Sequence, residues 1–520
     1  MRRYRGSREL SEREWREASD LRPSRVALAA ALIGAALLRF WALGHGVPYA
    51  LGVDEPEIMD RATNMMRSGD FNPRFFDYPG LYIYAQFVVS VARFIAGALS
   101  GAWTSLANAP TSEFYVWGRA LTATLGVATV FLVFQIGMRW GARHALLAAG
   151  LMAVQPQHVR ESHYVLTDVP LTFFVALTLL LSLRAAERAT LPAFIWAGVA
   201  AGLATATKYN GAWVLVIPLL ACALTPAVRA RVLVTLTILG SALAAFLLAA
   251  PYTFLDLPAF LDTFARLSNE YRTEGPQPAI WQTYVKHLRN GFGYPALIMA
   301  GAGLLLGSVR LARGPGRARW AMAIVFPLVY FWFVSRQGIV FARYLLPIMP
   351  SLCILAATAV VSGVSLLRRY EIPRAPRTAL IAGLTIAALL PPALKAIDFD
   401  RTIARKSTAA LAYDWLQTNV PKDAVVVIES RNLLLSDYRK ASHVKQLRHL
   451  PLEHYVSENV EYLIASSNSY GPYLNPQTAH LYPQEYAEYR TIFDQSQELV
   501  RFTPSAQHPG AELIVFRVRR

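Results

Sequence analysis

The feature that most constrains this chain is a succession of apolar runs, each about twenty residues long, between residues 24 and 396. A run of that length is what an α-helix needs to cross roughly 30 Å of hydrocarbon. Backbone polar groups find no water in lipid, so only helices or closed barrels can span it. These runs are rich in Leu, Ala and Val and show no polar alternation, which selects helices over barrel strands. Charged residues make up only 16% of the chain, against about a quarter in ordinary soluble proteins. The fold class expected is therefore an all-α polytopic membrane protein.

Spans are predicted at about 26–43, 116–138, 144–156, 169–183, 193–207, 210–225, 232–250, 294–309, 320–334, 344–366 and 378–395. Loop arginines test this count, because short cytoplasmic loops concentrate Arg and Lys. Arg139 and Arg143, Arg184 and Arg188, Arg229 and Arg231, the group Arg310 to Arg319, and the group Arg368 to Arg377 all then fall on one side. Arg22 and Arg25 flank the first span and place the N-terminal tail, residues 1–25, in the cytoplasm. No small-residue cleavage site follows the first apolar run, so it is expected to be retained as a span. The alternate loops face outward and carry Asp54, Glu55, Asp168, Lys208 and the segment 251–294. The run 80–99 is apolar enough to cross, yet counting it would put every Arg-rich loop outside. It is read as an interfacial helix.

Eleven spans place the C-terminus opposite the N-terminus. From residue 398 the composition becomes that of a soluble domain. Residues 407–419 read as an amphipathic helix, and 424–428, 460–465 and 512–518 as strands. The domain organisation expected is a cytoplasmic tail (1–25), a transmembrane catalytic domain (26–397, with a first outer loop over 44–115) and a small exoplasmic α/β domain (398–520).

The formal net charge of +17 follows from the topology-setting arginines, so nucleic acid is not expected as a partner. Cys222 and Cys353 both lie inside apolar runs and offer neither a disulfide framework nor a zinc pattern.

Chemistry is expected in the outer loops. The first holds adjacent carboxylates, Asp54 and Glu55. Group transfer to a hydroxyl or amine needs a carboxylate to bind or deprotonate the acceptor. Asp54 is the candidate base, with Glu55 orienting the acceptor or holding a cation. The simpler role for both is to start the helix that follows, where acids suit the positive end of the dipole. Asp77 and Tyr78 stand further along this loop, ahead of a Pro-started interfacial helix.

The second outer loop, 155–170, is dense in ionisable groups, including His158, Glu161, His163 and Asp168. Such groups near the membrane are costly and mark functional sites. Asp168 is the second candidate acid, or simply an N-cap. The histidines show no recognised zinc spacing. A leaving group that gains negative charge is stabilised by cations. Lys208, beside Tyr209, and Arg336 and Arg343 are the candidates, against the alternative of interfacial snorkelling.

Taken in order, these pieces resemble the family 39 glycosyltransferases of the GT-C class, the protein O-mannosyltransferases and the bacterial aminoarabinose-to-lipid A transferases. Asp54-Glu55 is similar to that family's first-loop Asp-Glu pair. Asp77-Tyr78-Pro79-Gly80-Leu81-Tyr82 sits where the family has a basic residue followed by Pro-Pro-Leu; here Asp77 replaces the basic residue and Tyr78 the first Pro. Arg119 with Ala120 to Ala123, Thr167-Asp168-Val169-Pro170 and Arg343-Tyr344-Leu345-Leu346-Pro347 resemble later elements. The resemblance covers residues 38–350 and, more loosely, the C-terminal domain.

It implies a GT-C fold with juxtamembrane helices. It also implies an inverting transfer from a polyprenyl-phosphate sugar to a protein, lipid or glycan acceptor, without a nucleotide-sugar site. Asp54, Glu55 and Asp168 would be catalytic. Arg343, Lys208 and Arg336 would hold donor phosphate. Asp77, Tyr78, His158, His163 and Tyr209 would line the pocket. No organic cofactor is called for, and a divalent cation is left open. The location expected is a bacterial cytoplasmic membrane, with membrane lipids as the surrounding partners. The competing reading is a lipid or solute transporter, which would show internal repeats and broken midplane helices.

Overall fold

The computed structural model describes residues 24–52, 54–272, 280–313, 316–369, 373–429, 433–435 and 437–519. Most of the expected N-terminal tail lies outside the described residues. The chain divides into two compact units, one of Met1–Trp41 with Ile58–Asp398, the other of Ala42–Glu57 with Phe399–Arg520.

The first unit is helical. Its elements are α1 (Arg25–Phe40), α2 (Glu55–Ser68, whose first residues belong to the second unit), α3 (Leu81–Leu99), α4 (Ser112–Gly137), α5 (Ala142–Ala153), α6 (Pro156–Glu161), α7 (Asp168–Arg188), α8 (Leu191–Thr207), α9 (Val216–Leu224) and α10 (Arg231–Ala249). They continue as α11 (Tyr252–Leu255), α12 (Leu257–Glu270), α13 (Ile280–Phe292), α14 (Tyr294–Arg313), α15 (Arg317–Val334), α16 (Met349–Arg369) and α17 (Arg374–Ile403). Each of the eleven predicted spans coincides with helix. Among the described residues, eight helical segments are long and apolar enough to cross a membrane, α3 among them. Others, such as α8, are apolar but shorter.

Two spans open in a 3-10 turn instead of an α-helix: Tyr209–Leu215 precedes α9, and Ala342–Ile348, with Pro347 inside it, precedes α16. A 3-10 turn winds tighter and points side chains differently from an α-turn. These turns set the directions of Tyr209, Asn210, Arg343 and Tyr344.

Helix contacts rely on small residues. Gly198 and Gly202 stand four apart on α8, and a Cβ at Gly202 would fall 2.1 Å from the Ala242 carbonyl oxygen on α10. A Cβ at Gly303 on α14 would fall 1.8 Å from the Leu355 carbonyl oxygen on α16. Close backbone approach through small residues is how helices associate in lipid, where the hydrophobic effect offers little drive.

Helix α3 runs antiparallel to the first part of α4. Tyr82 meets Thr122 (2.5 Å), Gln86 donates to the Gly118 carbonyl (3.1 Å), and Arg93 pairs with Glu113 (2.8 Å). The end of α1 reaches α4 further along, where a Cβ at Gly126 would lie 2.9 Å from Arg39 Cδ. Thus α3 and α1 line successive stretches of α4.

The second unit holds α18 (Thr408–Asn419), β1 (Val425–Glu429), β2 (Lys440–Val444), α19 (Leu452–Ser457), β3 (Tyr462–Ser466), α20 (Ser467–Leu474), α21 (Pro483–Gln495), β4 (Gln497–Phe502) and β5 (Leu513–Arg517). Its five-stranded sheet has the order β2-β1-β3-β5-β4. Strand β1 pairs in parallel with β2 and β3, while β5 pairs antiparallel with β3 and β4. Buried Glu429, at the end of β1, accepts from the Leu447 and Ser466 backbone N–H groups (2.9 and 2.8 Å) and the Tyr489 hydroxyl (2.5 Å).

Candidate functional site

The site is built around Asp168, the first residue of α7, which is only 3% exposed. A carboxylate there is costly unless paired. The Lys208 ammonium, at the end of α8, donates to Asp168 Oδ1 at 2.7 Å, and Arg343 Nε lies 3.6 Å from Oδ2. One acid thus draws cations from two other spans to one point. Lys208 also packs against the faces of Tyr344 (4.4 Å to the centroid) and Tyr78 (5.8 Å). The Tyr344 and Tyr271 hydroxyls share a hydrogen bond of 2.9 Å.

Lys208, Tyr78 and Tyr344 open onto a cavity of about 320 Å³. Asp77, Tyr209, Asn210 and Tyr271 supply further polar groups, and Trp213, Phe264 and Phe333 supply apolar wall. Tyr209 is held by donation to the Phe76 carbonyl (2.9 Å), and Asn210 donates to the Tyr330 hydroxyl (2.9 Å). Asp77 is ion-paired with Arg266 of α12, which also binds Glu270 (2.8 Å). At Asp168 itself two cations face one carboxylate, a local excess of positive charge next to an aromatic-walled chamber, while Asp77 and Glu270 outnumber Arg266 further along the wall. The excess at Asp168 suits a phosphate joined to an apolar chain.

The remaining predicted residues stand elsewhere. His158 and His163 do not line the cavity. Arg39, fully buried at the end of α1, donates to the Ala153 carbonyl (2.9 Å), the Met152 carbonyl (3.1 Å) and His158 Nδ1 (3.0 Å). It satisfies the C-terminal carbonyls of α5, which would otherwise lack donors. Arginine only donates, so Nδ1 is the acceptor; burial, with the Arg39 charge, holds His158 well below the usual histidine range. His163 has its two ring nitrogens 2.9 Å from the Val159 and Trp41 carbonyls. Burial, offset by the hydrogen bonds to Val159 and Trp41 and reinforced by the Arg39 and Arg119 charges, brings its pKa down to about 4. Arg336 is exposed and stacks on Trp332 (4.7 Å), while its neighbour Gln337 lines the cavity.

Asp54 and Glu55 belong to the second unit. Asp54 lies in the turn before α2, and Glu55 begins that helix, fully buried, accepting from the Gly52 backbone N–H at 2.7 Å. Among the described residues no group of three or more His, Cys, Asp or Glu side chains stands together as a metal site.

Sequence reasoning passed over Tyr271, Arg266 and Asn210 as site residues, and named Glu161 only as one of the ionisable groups of the second outer loop. Glu161 is 5% exposed, accepts from Gln157 (2.6 Å), and is pushed up to about 7 by burial and then by the Asp168 charge. The signal for Glu161 was an acid in an apolar-flanked loop seven residues before Asp168. Tyr271 and Arg266 sit in a segment whose sequence says only that it is an amphipathic helix.

Solved structures share this architecture. The apo oligosaccharyltransferase of Archaeoglobus fulgidus superposes with a TM-score of 0.57 at 14% identity, over 94% of this chain and 75% of that one. The archaeal oligosaccharyltransferase AglB from Archaeoglobus fulgidus, in complex with an inhibitory peptide and a dolichol-phosphate, gives 0.55 at 15%, over 93% and 74%. ArnT from Cupriavidus metallidurans, bound to undecaprenyl phosphate, gives 0.52 at 15%, over 95% and 98%. The fold is that of the GT-C membrane glycosyltransferases. Within that class, residues 76–265 match the family described as dolichyl-phosphate-mannose-protein mannosyltransferase. That stretch contains Asp77, Tyr78, Asp168, Lys208 and Tyr209. No curated protein sequence matches the chain significantly.

Proposed function

We propose that this protein is an integral membrane glycosyltransferase that moves a sugar from a polyprenyl-phosphate donor to an acceptor at the outer face of the membrane. The observation that carries this is the Asp168–Lys208–Arg343 cluster beside a cavity walled by aromatic residues. ArnT and AglB, which share the fold, were solved with undecaprenyl phosphate and dolichol-phosphate.

In this reading Lys208 and Arg343 neutralise the phosphate, with Tyr271 and Tyr344 as hydroxyl donors. Asp54 positions the acceptor and takes its proton. The acceptor atom forms its bond to the anomeric carbon on the face opposite the phosphate. The C–O bond to phosphate breaks, and its electron pair leaves with the lipid phosphate, inverting the centre. Asp168 holds the two cations in register. Preorganised charge of this kind is the largest single contribution to many enzymic rates.

The arginine loops favour the site end of α7 as exoplasmic. Because α1 and α3 line successive stretches of α4, α3 extends beyond the level where α1 ends. This supports a juxtamembrane α3 that leaves the charge bias of later loops intact.

The test is transfer by the purified full chain with a panel of polyprenyl-phosphate sugars, using wild type and Asp54→Asn. Transfer is expected to vanish in the variant while polyprenyl-phosphate binding persists. Unchanged turnover would remove Asp54 from the mechanism. Movement of lipid or solute across vesicles without any transfer would favour the carrier reading.

A further inference from the structure

A second charged cluster lies at the opposite end of α7. Glu187 stands nineteen residues after Asp168 on that helix. At about 1.5 Å of rise per residue this separation is roughly 28 Å, close to one hydrocarbon thickness. Glu187 pairs with Arg139 (3.2 Å). Arg319 donates to the Arg139 carbonyl and stacks on Trp140 (5.2 Å) and Trp320 (6.0 Å). Arg310 stacks on Trp320 (5.5 Å), and the two indoles meet edge to face at 5.5 Å. The charges of Arg310, Arg319 and Arg143 all bear on buried His144. Four guanidiniums thus gather at this end of α7, against the single carboxylate of Glu187, whose side chain is half exposed and pairs with Arg139.

Two donors inside this cluster are unmet. The Trp140 indole N–H is buried, with the residue 4% exposed, and Arg319 Nε is buried too; neither finds an acceptor among the described residues. Arginines that only set topology would reach into water. They would not bury an indole N–H or stack on two indoles. Unmet donors together with surplus positive charge call for an anionic acceptor. Beside Arg310, helix α14 exposes Ile298 (69%), Leu305 (70%) and Val309 (59%). They recur at seven and four residues, one lipid-facing stripe that ends at the cluster.

We propose that this cluster binds the phosphate of an anionic phospholipid, with the headgroup at Arg319, Arg310 and Trp140 and an acyl chain along the α14 stripe. The lipid belongs to the leaflet opposite the Asp168 site, where anionic headgroups meet basic pockets between helices. The site is independent of the glycosyltransferase reading.

The experiment uses the full chain, delipidated in detergent. Binding of phosphatidylglycerol, phosphatidylcholine and inorganic phosphate is measured by native mass spectrometry and by quenching of tryptophan fluorescence. Wild type is expected to retain phosphatidylglycerol at least about tenfold more tightly than phosphatidylcholine. Trp140→Phe keeps an aromatic ring for the contact with Trp320 and removes the N–H together with the pyrrole ring that carries it. It is expected to weaken phosphatidylglycerol binding about tenfold, the loss of one hydrogen bond to a charged group. Arg319→Gln is expected to do the same, with unchanged retention of polyprenyl phosphate. Equal binding of the two phospholipids, or wild-type affinity in both variants, would overturn the proposal. So would binding of inorganic phosphate with no gain from the lipid.

Discussion

Replacing Lys208 by Met tests whether Asp168 organises the site or merely borders it. Methionine keeps an unbranched stem and removes the ammonium. At an effective dielectric of about 20, the 2.7 Å pair represents about 6 kcal/mol of gross attraction, and Arg343 at 3.6 Å about 5 kcal/mol. Both are offset by the cost of taking the charges out of water. Removing one partner of a buried pair leaves the other uncompensated and typically costs about 3–5 kcal/mol. Lys208→Met leaves Asp168 with Arg343 at 3.6 Å, so the lower part of that range applies to it. Asp168→Asn takes the counter-charge from both cations and falls in the upper part, and Asp168→Asn/Lys208→Met, which removes one of the two cations, is expected to regain part of that loss. The assay is the midpoint of thermal inactivation in detergent, followed by fluorescence-detected size exclusion, for wild type, both single variants and the double variant. The expected order places Asp168→Asn lowest, the double variant above it and Lys208→Met nearest wild type. A single variant as stable as wild type, or a double variant no better than the worse single one, would refute the reasoning.

Other consequences are as specific. Glu161 is an acid raised in the folded state to about 7. The native protein therefore binds more protons than the unfolded chain between about pH 4.5 and 7. Stability falls as pH rises through that window, by about 3 kcal/mol, and levels off above it. Glu161→Gln should flatten this slope, as read by inactivation midpoints across pH. Gly202→Leu drives a side chain into the Ala242 carbonyl and should cost about 1–3 kcal/mol through separation of α8 and α10, seen as a lower midpoint. Glu429→Gln replaces one acceptor oxygen by a donor facing a carboxylate site already filled by three donors. It should destabilise the second unit by about 2–3 kcal/mol, measurable by hydrogen exchange over β1 and β3.

The membrane helices were readable because hydrocarbon allows one solution for an apolar run of that length. What the runs could not show is how two of them begin. The 3-10 turns at Tyr209–Leu215 and Ala342–Ile348 arise from packing, yet they set where Lys208, Asn210 and Tyr344 reach. Asp168, Lys208 and Arg343 were each legible as ionisable groups at span ends, where charge is costly without purpose. Their meeting at one point was not, because it depends on how three helices assemble. The full burial of Arg39 against the end of α5 is a tertiary fact that its place in the first apolar run does not reveal. In the second unit, β1, β3 and β5 were visible as apolar runs. Strands β2 and β4 are edges with mostly exposed residues, and an edge strand has too little buried face to show the period.

The proposed transfer requires that the cavity beside Asp168 receive a polyprenyl phosphate. Photocrosslinking tests it most directly, with a diazirine-bearing polyprenyl phosphate reacted with the purified full chain and the adducts mapped by peptide mass spectrometry. Adducts are predicted on the cavity wall, at Phe264 to Tyr271, Trp213 and Phe333 to Tyr344, with competition by unmodified polyprenyl phosphate. Saturable labelling confined to other surfaces, with these peptides unmodified, would contradict the account.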